Sequence, residues 1–149
     1  ATRGGEIVAG GVTAGVPFAT MVADRLGLPL TYIRPQPKSH GTGGQIEGAE
    51  VAGGKVVLVE DLITSATSIV LFTNALRAAS ATVDHTSVVF ARMTAAAQPA
   101  LDQLGLSLSV LCDMETLLEM ALGEGVASSA AIAEVRAYLA DAEGWSASR

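Results

Sequence analysis

Cysteine is nearly absent: Cys112 is the sole one in 149 residues. One thiol cannot close an internal disulfide, so no covalent staple holds the fold, and the chain suits a reducing compartment. Cys112 ends an apolar run, which predicts an inert, buried thiol rather than a nucleophile. Lysine is scarce too, with only Lys38 and Lys55. The net charge of -6 and isoelectric point near 4.7 exclude a broad basic face for nucleic acid. Half of the residues are hydrophobic, yet no apolar run approaches the roughly 18 residues of a membrane span. The sequence opens ATRGGE and turns apolar only at Ile7, without the pattern of a secretory leader. A cytoplasmic chain with one core is expected, and residues 1–149 read as a single domain.

What is present is an alternation of strand and helix patterns. Residues 6–11 and 30–33 read as strands, and residues 16–26 between them as a helix. Pro17 sits in its first turn and Gly27 at its stop. Residues 56–59 read as a strand buried on both faces, followed by a helix over 68–79. Residues 83–90 form a further strand and 95–104 a helix stopped by Gly105. Residues 106–111 alternate Leu with Ser and predict a half-buried edge strand. Helices are expected over 114–122 and 130–140; in the second, Ile132, Val135, Tyr138 and Leu139 share a face that reads as packing. Residues 144–149 read as a frayed tail. The alternation predicts an α/β fold: a doubly wound, mainly parallel sheet with helices on both faces.

The richest segment is KVVLVEDLITSATSIV, from Lys55 to Val70. Its apolar strand leads to Glu60 and Asp61 where the strand is expected to end, then to Thr64, Ser65, Thr67 and Ser68 at the entry to a helix. In an open parallel sheet, ligands bind outside the carboxyl ends of the strands. Small residues leave backbone N–H groups free for a phosphate, and the helix N-terminus adds its positive dipole end. Two carboxylates beside a phosphate cradle suit either Mg²⁺ or the hydroxyls of a sugar phosphate.

Three other segments would meet that site. Residues 10–15, GGVTAG, form a Gly-rich turn that lets backbone approach a pyrophosphate. Residues 34–54 form a long polar loop with six glycines, in which Arg34, Lys38 and His40 lie within seven residues. Such a loop can close over an anionic substrate. Arg92 follows the strand over 83–90, where a guanidinium can grip a planar carboxylate with two hydrogen bonds. His85, by contrast, reads as a surface residue away from the site.

The string over residues 56–68 resembles the phosphoribosyl-pyrophosphate (PRPP) signature of type I phosphoribosyltransferases. The loop pattern R-x-x-x-K-x-H-G with Ile46-Glu47-Gly48, and Arg92 after Val88-Val89-Phe90-Ala91, narrow the resemblance to orotate phosphoribosyltransferases. It runs from about Glu6 to Tyr138. The chain departs from the family pattern at three places: Ala66 stands for the usual loop Gly, Pro35 for a basic residue after Arg34, and Ala91 for an Asp. Family members also carry an N-terminal hood over the base, and this sequence starts almost at the first strand.

The resemblance implies an enzyme of pyrimidine biosynthesis. It would transfer the 5-phosphoribosyl group of PRPP to orotate, giving orotidine 5′-monophosphate and pyrophosphate. It implies Lys38, His40 and Asp61 as catalytic residues. PRPP would be held by Arg34, Lys38, His40, Glu60, Asp61, Leu62, Ile63, Thr64, Ser65, Ala66, Thr67 and Ser68, and orotate by Thr64 and Arg92. Mg²⁺ would be bound mainly through PRPP, with no protein ligand assigned. A homodimer sharing the loop across subunits is implied, with no nucleic-acid or membrane partner. The alternatives are a phosphoribosyltransferase for another base and a non-catalytic PRPP-binding regulatory protein.

Overall fold

The computed structural model describes residues 7–37 and 44–147. Its core is a six-stranded sheet made of β1 (Ile7–Gly11), β2 (Leu30–Ile33), β3 (Ile46–Gly48), β4 (Lys55–Ile63), β5 (Thr82–Ala91) and β6 (Ser107–Asp113). Their spatial order is β3-β2-β1-β4-β5-β6. All neighbouring pairs are parallel except β2 with β3. From β1 the chain crosses to β2 on one side; from β4 it crosses to β5 on the other. The strand order therefore reverses between β1 and β4, and a crevice opens at their carboxyl ends.

Helices cover both faces, as the alternation predicts. α1 (Gly15–Leu26) lies on one face, where Ala19 and Ala23 meet Val8, Val57 and Val59. α2 (Thr67–Ala78) and α3 (Ala97–Leu104) lie on the other, where Ile69, Phe72, Leu76 and Leu101 meet Val56, Leu58 and Val88. β4 is apolar without interruption because alternate residues feed the two layers: Val56 and Leu58 one, Val57 and Val59 the other. Gly27 and Gly105 end α1 and α3 at φ 63° and 61°, the left-handed turn that glycine enters without a side-chain clash.

α1 contacts β1, β2 and β4 but hardly reaches β5 and β6. Phe18, Met21 and Leu26 with Val59, Val89 and Leu111 consequently border an open apolar groove of about 430 Å³. Beyond β6 the chain forms α4 (Met114–Gly123), α5 (Ser129–Ala140) and α6 (Ala142–Ala147). Asp113 caps α4 by accepting the Thr116 N–H at 2.7 Å, and Ser128 caps α5 by accepting that of Ala131 at 3.2 Å. On α5, Ile132 is buried and Val135, Tyr138 and Leu139 half-buried, the stripe expected from their spacing.

Five expectations are corrected. β4 does not stop before the acids; it continues through them to Ile63, held by pairing of Leu62 and Ile63 with Phe90 and Ala91. The segment over 34–54 contains β3, and Val51 within it is buried. The tail holds α6, whose Trp145 stands edge-on to Tyr138 at 5.3 Å; residues 148–149 lie outside the described residues. His85 is not a surface residue: it is 2% exposed within β5, its Nδ1 2.6 Å from Ser107 Oγ on β6. Cys112 is exposed rather than buried, because β6 is the edge of the sheet.

Candidate active site

The crevice is built where β1 and β4 part. Their last paired residues are Gly10 and Val59. One step further the ladder bond is replaced by a side chain: Gly11 N–H donates to Glu60 Oε1 at 2.7 Å. Both flanking glycines are needed for this. A Cβ on Gly11 would fall on Glu60 Oε1 and on the Phe72 ring, and one on Gly15 would fall on Glu60 Oε1 from the other side. Glu60 is 5% exposed. Burial pushes its carboxyl up to about 7; the Gly11 hydrogen bond opposes this and the neighbouring Asp61 charge adds to it.

The sign of the pH effect follows. A folded-state value above the unfolded one means that the folded chain holds the proton more tightly. Glu60 therefore stabilises the fold most below about pH 4.5, and that contribution is lost as pH rises toward and through 7. Unfolding free energy from urea titrations should fall by on the order of 2 kcal/mol more between pH 5 and 8 than in Glu60→Gln. Identical profiles for the two proteins would refute this. Asp113 does not interfere. Its hydrogen bonds from Thr116 hold it below the usual carboxylate range, so its contribution is lost only at more acid pH.

Asp61 is half-buried and, among the described residues, its carboxylate has no hydrogen-bond or ion-pair partner. It borders a cavity of about 530 Å³ together with Glu60, Leu62, Thr64, Ser65, Ala66, Thr67 and Ser68. Val12, Thr13 and Ala14 of the β1–α1 turn, Pro35, Leu71 and Phe72 complete its wall. Ile63 does not line it; its side chain is 1% exposed in the core, so only its backbone is near.

The turn into α2 is held at Ala66, which takes φ 64° and ψ 8° while its methyl is buried at 2% exposure. Ala66 thus adopts the left-handed backbone that Gly enters freely, at a cost of about 1–2 kcal/mol. Backbone bonds brace the turn against β5: Arg92 N–H donates to Ile63 O at 2.9 Å and Thr94 N–H to Thr64 O at 3.2 Å. Ser65 and Thr67 hydroxyls lie 2.9 Å apart. No side chain caps the N-terminus of α2, so its first N–H groups stay available to an anion in the cavity.

The remaining sequence-derived residues fall apart from this cluster. Arg34 donates from Nε to Glu47 Oε1 at 2.5 Å, and Tyr32 donates to the other Glu47 oxygen at 3.0 Å. The Glu47 hydrogen bond raises the Arg34 pKa further above its ordinary value. Its guanidinium also lies 5.9 Å from the centre of the Tyr32 ring. Glu47 enters the sequence reading only within the Ile46-Glu47-Gly48 match, with no role of its own; its pairing follows from its place opposite Tyr32 in the β2–β3 pair. Arg92 is half-buried at the end of β5 and does not line the cavity. Its neighbours Ala91 and Met93 border a smaller one of about 220 Å³ with Asp113, Met114, Glu115 and Leu139. Lys38 and His40 lie outside the described residues. Among the described residues no three His, Cys, Asp or Glu side chains gather as a metal site, and no helix is long and apolar enough to cross a membrane.

Comparison with known proteins gives a consistent result. Residues 6–107 match the model of the phosphoribosyl transferase domain. The orotate phosphoribosyltransferase of Cereibacter sphaeroides strain KD131 is 40% identical over 143 residues, covering 95% of this chain and 62% of the relative. The chain thus spans less than two thirds of the length of such relatives. The crystal structure of orotate phosphoribosyltransferase from Aeropyrum pernix superimposes with a TM-score of 0.69 at 33% identity, over 84% of this chain and 68% of that one. A structure of Leishmania donovani UMP synthase gives 0.76 at 26% identity, over 93% and 30%.

Proposed function

The chain belongs to the phosphoribosyl transferase family, and on that premise we propose that it transfers the 5-phosphoribosyl group of PRPP to orotate. The products are orotidine 5′-monophosphate and pyrophosphate, a step of pyrimidine nucleotide synthesis. The observation that carries this reading is the cavity at the β1–β4 switch point, lined both by Asp61, which has no partner among the described residues, and by the uncapped start of α2.

The chemistry asks for two kinds of group. As the C1′ bond to pyrophosphate breaks, positive charge grows on the ribose ring and negative charge on the leaving group. Lys38 and His40 stabilise the departing pyrophosphate, with Arg34 as a further phosphate contact. Asp61, with Glu60 beside it, fixes the ribose through its hydroxyls. Backbone N–H groups over residues 63–68 and the hydroxyls of Ser65, Thr67 and Ser68 hold the 5′-phosphate. Thr64 and Arg92 bind orotate, the guanidinium taking its carboxylate. Mg²⁺, a hard cation that prefers oxygen, would be held mainly by PRPP and draw charge from the pyrophosphate. The working unit is a cytoplasmic homodimer with the loop shared between subunits.

One observation favours a second reading. Arg34 is engaged by the Glu47 carboxylate and lies over the Tyr32 ring, which suits a PRPP-binding protein without turnover. An ultraviolet assay of orotate consumption with PRPP and Mg²⁺ separates the two. Orotate loss is expected, and Asp61→Asn should lower kcat/KM for PRPP about 10- to 100-fold, the worth of a hydrogen bond to a charged group, with Tm unchanged. Absence of orotate loss would move the protein to the second reading; a full rate in Asp61→Asn would remove that residue from the site.

A further inference from the structure

The cation at the root of the long loop is held by a carboxylate. Tyr32 on β2 and Glu47 on β3 stand directly opposite in the antiparallel pair, so their side chains share one face of the sheet. Arg34 directly follows β2, with its guanidinium 5.9 Å from the centre of the Tyr32 ring. Glu47 serves both residues: Oε1 accepts Arg34 Nε–H at 2.5 Å and Oε2 accepts the Tyr32 hydroxyl at 3.0 Å. The backbone beneath is pinned as well. Arg34 N–H donates to Gln45 O at 2.9 Å, and Gln45 Nε2 donates to Arg34 O at 3.0 Å. This corner adjoins the rim of the cavity: Ile33 O accepts the Val12 N–H at 2.8 Å, and Val12 and Pro35 both line the wall.

A guanidinium carries its N–H donors in a rigid fork. Glu47 takes the donor at Nε and gives its other oxygen to Tyr32, so it does not grip the terminal nitrogens. Held in this way, a guanidinium can still present its far edge, with two parallel N–H groups, to a phosphate. A loose arginine gives up rotamer freedom when it binds; one already held has less to lose.

We propose that Glu47 is a positioning residue: through Arg34 Nε and the Tyr32 hydroxyl it fixes the guanidinium at the loop root, so that its far edge receives the pyrophosphate group. The assignment deepens the PRPP reading of the cavity and rests on it.

A double-mutant cycle tests this. Pyrophosphate binding with Mg²⁺ would be measured by calorimetry, beside a thermal melt, for the wild-type chain, Arg34→Ala, Glu47→Ala, Glu47→Gln and the Arg34→Ala, Glu47→Ala double variant. Arg34→Ala should weaken binding by about tenfold or more, and Glu47→Ala by about three- to tenfold. In the Arg34→Ala background, Glu47→Ala should add nothing, because no cation is left to position. The glutamine oxygen can still accept Arg34 Nε–H, so Glu47→Gln should bind at least as tightly as about a third of the wild-type affinity. A merely structural role would cost the same affinity in both backgrounds, and that result overturns the proposal. Unchanged or tighter binding by Glu47→Ala overturns it too, since the carboxylate would then withdraw Arg34 from the site. Should Glu47→Ala fail to fold, Tyr32→Phe decides: it unties one oxygen of the carboxylate, keeps the ring, and should cost affinity only where Arg34 is present. Unchanged affinity in Arg34→Ala overturns the proposal and leaves the PRPP reading standing. A wild-type chain that binds neither pyrophosphate nor PRPP overturns that reading, and the assignment with it.

Discussion

Gly11→Ala is expected to lower the unfolding free energy by about 3 kcal/mol, the upper part of the usual range for an overpacked core. The new methyl has nowhere to go. It falls on the Glu60 carboxylate and on the Phe72 ring at once. The ring is 2% exposed and locked among Ile69, Leu76 and the sheet. The carboxylate is confined by Gly15 on its other side. Moving the carboxylate breaks the bond that joins β1 to β4 at the crevice, and moving the ring disturbs the packing of α2 on the sheet. Gly27→Ala is the control: open space surrounds that position, and only its φ of 63° disfavours a side chain, at about 1–2 kcal/mol. Urea titration of both variants gives the comparison. A loss at Gly11 no larger than at Gly27 would mean that Glu60 can leave its place freely.

Lys38→Ala should cut turnover by about 10²- to 10³-fold, the loss typical when a preorganised group that stabilises developing charge is removed. Lysine is so scarce here that the loop holds one of only two in the chain. The other, Lys55, begins β4 at the end of the strand opposite the crevice. No neighbouring lysine can take over the task. Residues 35–45 around Lys38 are polar and Gly-rich, without large apolar side chains, so Tm should move by less than the error of the measurement. Steady-state kinetics beside a thermal melt checks both halves, and an unaltered kcat would remove the loop from the chemistry.

The sequence exposed the fold wherever the two layers each leave a periodic trace. β4 is continuous in its hydrophobicity because it is covered twice, α1 and α3 each show a glycine stop, and α2 shows an apolar stripe. β3 left no such trace, since three residues are too few for a period and its pairing comes from β2 across a hairpin. Cys112 was misjudged for a related reason: its apolar run is that of a sheet strand, but an edge strand can leave such residues in solvent. His85 reads as polar and hence exposed, yet the Ser107 hydroxyl on the neighbouring strand gives its ring a partner inside the sheet. The Glu60–Asp61 pair was visible as a site, whereas the division between the two acids was not. Strand alternation says that adjacent side chains point opposite ways. It does not say that β1 turns away after Gly10 and leaves a gap for one of them. The Arg34–Glu47 pair is likewise a product of register, which no linear spacing states.

The β1–β4 seam also bears on how the site comes into being during folding. Its closing contact joins residues 49 apart in sequence, and the strands on either side of it are parallel, so no hairpin can form it locally. The entropy of closing that loop must be met before the pairing returns any stability, which makes such contacts slow to form. The β2–β3 hairpin and the isolated helices can appear early, but the walls they supply meet only when β1 and β4 pair. Recovery of PRPP binding after dilution from denaturant is therefore expected to follow the late event that completes the sheet.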